Sequence, residues 1–378
     1  MVVPFALWVG ILFLRGRFWY ADQRLETVHK VSGLNEWPEV VCVIPARNEA
    51  KTIARTVASL TDQDYPGRVN VIVIDDNSND YTAHIAGSNL KNPDLLHVFI
   101  GKPLQKGWSG KLWAVHQGLD KARHLAPDAS FVLLTDADII HDKKSLYRLV
   151  TKAMNCQLDL VSVMVKLRTN NFWEKLLIPA FIFFFQKLYP FPWVNDPKKS
   201  LAAAAGGCML VRSSALDRIG GVKSIYDRLI DDCQLAALIK KGGPIWLGLS
   251  DKIISERHYN HLSEIWEMVA RTAYEQLGNS LIILIGTIAA MVIIYLLPPF
   301  SAIVFFFGGP LELMIVGLTC WLMMGIAYKP TLSFYGMSQF WILLLPLSAF
   351  IYTLMTISSA INYLRGRGGV WKGRHYSK

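Results

Sequence analysis

From Leu281 onward the chain is largely apolar, and this limits its possible folds more than any other feature. Leu281 to Leu297 is an apolar run stopped by Pro298-Pro299, and Trp341 to Ile361 is a second clear span. Each approaches the roughly 20 residues that a helix needs to cross a bilayer. Ser301 to Ala327 is also apolar but is broken by Gly308-Gly309-Pro310. At the other end, Val2 to Leu14 is apolar and is followed by Arg15 and Arg17. A secretory signal has its positive charge before the apolar run and a small-residue cleavage site after it. This run reverses the charge order, so it reads as a short anchor with its C-terminal side in the cytoplasm. The tail from Arg365 to Arg374 is strongly basic and is expected to be cytoplasmic too. That requires an even number of crossings after the soluble part. Three simple spans give the wrong parity, so either the Gly308-Gly309-Pro310 break makes a re-entrant pair or one segment does not cross. The expected organisation is an anchor over 1–20, a soluble domain over 35–278, membrane helices over 279–364 and a basic tail over 365–378.

Charge and cysteine usage narrow the partners. The 378 residues carry a net charge of +10. Many of the basic residues flank hydrophobic segments (Arg15, Arg17, Arg365, Arg367, Lys372 and Arg374), a placement suited to an anionic membrane surface. No nucleic-acid motif accompanies them, so no nucleic-acid partner is expected. The five cysteines, Cys42, Cys156, Cys208, Cys233 and Cys320, form no C-x-x-C. Neither a zinc site nor a disulfide framework is expected, and most of them read as small buried apolar residues.

The segment Asn171 to Val194 has a different character. Its aromatic residues, among them Phe172, Trp173, Phe181 to Phe185, Tyr189 and Trp193, are interspersed with Glu174, Lys175, Gln186 and Lys187 and broken by Pro179, Pro190 and Pro192. Aromatic enrichment with internal charge suggests a helix lying in the membrane interface; a buried core helix is the alternative.

Between these segments, strands and helices alternate. Strands are expected at Glu39 to Ile44, Val69 to Ile74, Leu96 to Ile100, Phe131 to Thr135 and Leu158 to Val165. Helices are expected at Ala50 to Leu60, where Ile53, Val57 and Leu60 share a face, and at Trp113 to Leu125. The alternation argues for an α/β domain with a mostly parallel sheet. Three strands then run into acidic or polar loops, Pro45–Glu49, Asp75–Ser78 and Asp136–Asp138. In a parallel sheet such loops share one edge, where α/β proteins bind nucleotides.

Asp136 and Asp138 are spaced i, i+2, so on extended backbone both carboxylates point to one side. They can converge on a hard divalent cation, which prefers oxygen ligands; alone, the pair is equally readable as two solvated carboxylates. Gly206-Gly207 permits close backbone approach to a ligand or tight packing of two elements. Leu229-Ile230-Asp231-Asp232 opens a helix expected to run through Lys241, whose dipole stabilises an aspartate at its start. His258, in Ser255-Glu-Arg-His-Tyr259, reads as a third metal ligand or as a surface or supporting histidine. Trp108 either stacks on a base or sugar or only packs, and Lys111 is either a donor contact or a solvated lysine.

Taken together, Ile44-Pro-Ala-Arg-Asn-Glu49, Val73-Ile-Asp-Asp-Asn-Ser78, Gly107-Trp-Ser-Gly-Lys111, Thr135-Asp-Ala-Asp138, Gly206-Gly207 and Ile230-Asp-Asp232 resemble the family 2 glycosyltransferases over roughly Val41 to Gln276. The Phe-rich segment, Trp193-Val-Asn-Asp-Pro197 and Trp371-Lys-Gly-Arg374 most resemble the hopene-associated members, which are related to the carotenoid and ceramide glycosyltransferases. The resemblance implies a GT-A fold, a mixed and mostly parallel sheet with helices on both faces, and inversion at the anomeric carbon. It implies that Pro45, Ala46, Arg47 and Glu49 frame the nucleoside and that Asp76 hydrogen-bonds the base. Asp136 and Asp138 would hold the donor diphosphate through Mg2+ or Mn2+, with Asp138 as the direct ligand. Lys111 would lie near the donor, and Asp232, preceded by Asp231, would be the general base. Where processive members carry Q-x-x-R-W, this chain reads Met268-Val-Ala-Arg271-Thr-Ala-Tyr-Glu-Gln276, so only Arg271 is left to face the diphosphate and chain polymerisation is not expected.

The expected reaction is transfer of a sugar from a nucleotide-sugar donor, by family UDP-linked, to a hydroxyl of a membrane lipid, of hopanoid type, at the bacterial cytoplasmic membrane. Two alternatives stand beside it: transfer to a polyprenyl phosphate, and a catalytically idle nucleotide-sugar-binding protein.

Overall fold

The computed structural model describes residues 1–27, 36–88, 90–228, 230–366, 370–371 and 374–375. Asn35, Leu229, Arg367 and Lys372, used in the reading above, lie outside the described residues. The chain divides into two compact units. A sheet unit comprises Gln23–Arg168, Trp193–Arg257 and Val370–Lys378; a helical unit comprises Met1–Asp22, Thr169–Pro192 and His258–Gly369.

The sheet unit is built on eight strands: β1 (Val40–Ala46), β2 (Val69–Asp75), β3 (Leu96–Ile100), β4 (Phe131–Thr135), β5 (Ile139–His141), β6 (Leu160–Lys166), β7 (Cys208–Arg212) and β8 (Ile245–Ser255). Their spatial order is β3-β2-β1-β4-β7-β6-β8-β5. The pairs β1–β2, β2–β3, β1–β4 and β6–β8 are parallel, whereas β4–β7, β6–β7 and β5–β8 are antiparallel. The sheet is therefore mixed and mostly parallel, as expected. Alternation along the strands supplies both faces. Cys42, Ile44, Val71 and Val73 join Ile53, Val57 and Leu60 of the helix Ile53–Thr61 in one core. Val43 and Ile74 point the other way, against the helix Gly110–Leu125. That helix lies so close that a Cβ on Gly118 would fall 2.3 Å from Val43 Cγ1.

The topology decides which loops meet. β1, β2 and β4 end on the same edge, and because β7 is antiparallel to β4, with Thr135 opposite Cys208, Gly206-Gly207 starts from that edge too. β8 is parallel to β6, itself antiparallel to β7, so β8 ends there as well. The sequence reading had neither β5 nor β8. Asp251 and Lys252 interrupt the apolar run of β8, and β5 is only three residues long.

In the helical unit, three helices are long and apolar enough to cross a membrane: Leu281–Phe307, Leu311–Phe334 and Gln339–Leu364. This corrects two expectations. Pro298-Pro299 does not stop the first helix: a π-helical stretch at Val292–Leu296 precedes it, and Ile294 O, the carbonyl four residues before Pro298, accepts from the Trp8 indole instead. The Gly308-Gly309-Pro310 break makes no re-entrant pair; with Gly308 at φ 89° it turns the chain between two long helices. The helix Val2–Leu14 has 13 residues, about 20 Å at 1.5 Å per residue, which is short for a span. Its Trp8 indole donates to Ile294 O at 2.9 Å, within the π-helical stretch.

The aromatic segment is the helix Phe172–Leu188, and it also departs from expectation. Pro179 lies inside it without ending it. In the turn beside the proline, Ser348 and Tyr352 donate to the carbonyls of Leu176 and Leu177, at 2.8 and 2.9 Å. Only Phe172 and Leu188, at its two ends, are exposed. A helix laid flat in an interface keeps one open face; this one is enclosed, and the buried-helix alternative describes it. Asn171 caps it, and Glu174 accepts from the backbone N–H groups of Asn170, Asn171 and Tyr259.

Candidate active site

The edge where β1, β2, β4 and β8 end carries four loops, each tied down by its own polar residues. Pro45 and Ala46 belong to β1 itself rather than to the loop after it. Asp76 N donates to Ala46 O at 2.8 Å, extending the β1–β2 pairing by one step. Asn48 and Asn77 take positive φ, 51° and 54°, a conformation asparagine tolerates better than most residues. Asn48 N and Glu49 N donate to Ser78 Oγ and Thr82 Oγ1, both at 2.9 Å. Arg47 reaches back to the carbonyls of Asp76 and Asn77, with its guanidinium 3.8 Å from the buried Asp76 carboxylate. Asp75 accepts from the backbone and hydroxyl of Ser78, so its work is to hold the turn.

Asp136 and Asp138 flank a turn rather than extended backbone: Ile139 N donates to Asp136 O at 3.3 Å. Their carboxylates meet different cations. Asp136 accepts from Lys111 Nζ at 2.9 Å, and Asp138 Oδ2 lies 3.1 Å from Arg257 Nε. Asp138 is also the more recessed, with a side chain 10% exposed against 36% for Asp136. Beneath the turn, Thr135 Oγ1 bonds Gly207 O and His141 Nε2, at 2.8 and 3.0 Å. Burial pushes His141 down to about 4, leaving it neutral at pH 7.

Lys111 sits in the first turn of its helix, behind the Ser109 N-cap. Its ammonium is 3.7 Å from Asp231 as well as 2.9 Å from Asp136. Burial works to lower its affinity for a proton, but Asp136, Asp231 and Asp232 outweigh that and raise it. Asp231 and Asp232 open the helix Asp231–Lys240. Asp232 accepts from Gly206 N at 2.9 Å and Cys233 N at 2.7 Å. Its carboxyl is pushed up to about 6 by burial and by Asp231, against the pull of Lys111 and the two N–H groups. A small cleft, with about 20 Å3 of free space, is lined by Pro45, Lys111, Asp136, Gly206 and Asp231.

Residues 41–220 match the family model for Glycosyl transferase family 2. This part of the chain is a family 2 glycosyltransferase domain. Similar proteins include a probable glycosyltransferase, YdaM, of Bacillus subtilis, 28% identical over 193 residues, or 50% of this chain and 44% of that protein. A beta-monoglucosyldiacylglycerol synthase of Trichormus variabilis is 26% identical over 60% of this chain and 44% of its own. A 4,4'-diaponeurosporenoate glycosyltransferase of Staphylococcus aureus is 28% identical over 46% of this chain and 42% of its own. The chain thus spans less than half the length of these relatives. Among solved structures, a mannosyltransferase of Pyrobaculum calidifontis, in complex with GDP-Man and Mn2+, superposes with a TM-score of 0.52. It covers 96% of this chain and 98% of its own at 17% identity, a likeness of fold. The glycosyltransferase domain thus has the GT-A architecture that the motifs implied.

The topology gathers most of the residues singled out in the sequence. Pro45, Ala46, Arg47, Glu49, Asp76, Lys111, Asp136, Asp138, Asp231 and Asp232 all belong to the sheet unit, whereas Arg271 and His258 belong to the helical unit. Trp108 stacks on His116 with centroids 4.9 Å apart. Arg257 was missed. Its guanidinium joins Asp138 to Glu49, the latter at 3.4 Å. Arg257 follows β8, whose interior Asp251 and Lys252 mask the strand in the sequence, so no local signal marked it.

The donor set suits a hard divalent cation. Asp136, Asp231 and Asp232 surround one ammonium, so at neutral pH the cluster carries about two uncompensated negative charges. Among the described residues no three His, Cys, Asp or Glu side chains converge to hold a metal by themselves, so exogenous oxygens have to complete any coordination. Direct ligation by Asp138 also requires Arg257 to yield.

Proposed function

We propose that this chain is an inverting, metal-dependent glycosyltransferase that moves a sugar from a nucleotide-sugar donor, UDP-linked, to a hydroxyl of a membrane lipid. The observation that carries the reading is Asp232: a carboxylate raised to about 6, fixed by two backbone N–H groups and joined through Lys111 to Asp136. A hydroxyl is a poor nucleophile at neutral pH, and a positioned base of near-neutral affinity suits its activation. As the acceptor oxygen attacks the anomeric carbon, Asp232 takes its proton and the bond from that carbon to the diphosphate breaks. Arg47, Glu49 and Asp76, with Pro45 and Ala46, frame the nucleoside, and Lys111 neutralises the diphosphate. Asp136 and Asp138 would hold Mg2+ or Mn2+, which would offset the charge that develops on the leaving group.

The lipid acceptor is supported by the three long apolar helices and by relatives named for acting on a diacylglycerol lipid and a carotenoid acid. The resemblance narrows it to a polycyclic hopanoid-type lipid, with the sheet unit on the cytoplasmic side of the cell membrane. Asp232→Asn is expected to lower turnover about 10²–10⁴-fold while donor affinity, measured by calorimetry, stays within a few-fold. Full turnover in that variant overturns the base and favours a phosphate acceptor, which needs none.

A further inference from the structure

Two positive charges meet at the C-terminal end of the helix Phe172–Leu188, inside the helical unit. Arg15 donates through Nε and Nη2 to the carbonyls of Lys187 and Leu188, at 3.1 and 3.2 Å. Lys187 donates to the Tyr295 hydroxyl at 2.9 Å, and its ammonium lies 4.5 Å from the centre of the Tyr295 ring and 5.3 Å from that of Phe184. Both cationic side chains are partly buried, and Arg15 acts on Lys187 as a like charge. The charge of Lys187 is not balanced from within. A helix C-terminus offers partial negative charge, but Arg15 already occupies the last carbonyls. The phenol and the ring faces offer only partial charge as well. Among the described residues no carboxylate pairs with the Lys187 ammonium. Glu174, the one acid of the same helix, sits at its other end and is taken by three N–H groups.

A charge taken out of water without a counter-charge is destabilising, and an anion from outside relieves it. An ammonium carries three N–H donors, of which Tyr295 takes one. The guanidinium next to it is of the kind that grips phosphate oxygens. Phe13, Leu14 and Leu188 are exposed beside the pair, so an anion with alkyl chains gains apolar contact that a free ion does not. We propose that Lys187 and Arg15 bind the phosphate of an anionic glycerophospholipid, whose chains lie along Phe13, Leu14 and Leu188. Basic pockets between membrane helices take such headgroups. The lipid is neither donor nor acceptor in the transfer reaction, and its site stands independently of that reading. It staples the ends of the helices Val2–Leu14 and Phe172–Leu188 to each other.

Thermal unfolding of the full-length protein in a neutral detergent tests this, with phosphatidylglycerol, phosphatidylcholine or inorganic phosphate added to lipid-stripped samples. Phosphatidylglycerol is expected to raise the wild-type midpoint by about 3 °C at saturation; phosphatidylcholine and inorganic phosphate should leave it in place. Lys187→Met should fold at least as stably without lipid, because it removes the unbalanced charge, and should lose the shift; Lys187→Arg should keep it. Lys329→Gln, which removes an exposed cation elsewhere in the helical unit, should keep it too. No shift in wild type, or a full shift in Lys187→Met, overturns the proposal. An equal shift with phosphatidylcholine means that the chains alone bind, and one with inorganic phosphate means a site for free anions; either overturns it. Loss of the shift in Lys329→Gln reduces the effect to diffuse surface attraction and overturns it as well. If Lys187→Met does not fold, Arg15→Gln decides: it must shrink the shift, and a full shift there overturns the proposal.

Discussion

The two units differ in how they satisfy their buried polar groups. In the sheet unit several carboxylates are answered by charge. Lys111 serves two carboxylates, Arg257 joins Asp138 to Glu49, and Arg218 holds Asp159 at 2.7 Å. In the helical unit the answer is mostly neutral. Indole and hydroxyl groups donate to main-chain carbonyls, as in Trp8 to Ile294, Ser348 to Leu176, Tyr352 to Leu177 and Thr353 to Ala349. An ion costs more to bury than a hydroxyl, whose own hydrogen bond is easily met. The sheet unit concentrates ions where charge has to be moved; the helical unit spends neutral donors on keeping irregular backbone paired. Glu174 is the exception, a buried carboxylate tolerated because three N–H groups converge on it.

Four measurements press on this contrast. The largest effect is expected from acid. As pH falls through about 6, Asp232 gains a proton and ceases to be a base. Turnover should drop about tenfold per pH unit below that point, and a flat profile down to pH 5 breaks the link between the charge lattice and the chemistry. Next is Glu174→Ala, which strands three N–H donors and should cost about 3 kcal/mol, read as a lower denaturation midpoint in detergent. Tyr352→Phe leaves one carbonyl short of a donor and should cost about 1 kcal/mol with turnover unchanged. A loss as large as that of Glu174→Ala erases the distinction between charged and neutral pairing. The smallest effect is expected at the exposed pair of Arg123 and Asp217. Arg123→Ala should leave the melting temperature where it was, since solvent screens such pairs.

The sequence is legible where period and position agree. The four parallel-paired strands β1 to β4 fell within a residue or two of their places, because continuous apolar runs end in polar loops. Asp76, Lys111, Asp136 and Asp232 could be found from their positions at strand ends and helix starts. β8 was hidden because its interior carries Asp251 and Lys252, and Arg257 was hidden with it. Pro179 and Pro298-Pro299 misled for a different reason. Whether a proline ends a helix depends on whether the backbone beside it is satisfied elsewhere, by Ser348 and Tyr352 in one case and by the Trp8 indole in the other. Those partners are remote in sequence, and no local pattern announces them. The opposed cations on Asp136 and Asp138 were invisible for the same reason, since Lys111 and Arg257 come from different elements.

The bond from Trp8 to Ile294 joins residues 286 positions apart. At about 5–20 residues per second of synthesis, the N-terminal helix emerges roughly 15–60 s before the residue its indole will bind. Throughout that interval all of the sheet unit up to Arg257 is being made. The first helix therefore waits unpartnered at this position while the eight strands are made, and the helical unit can close only when its last stretch, from His258 onward, leaves the ribosome.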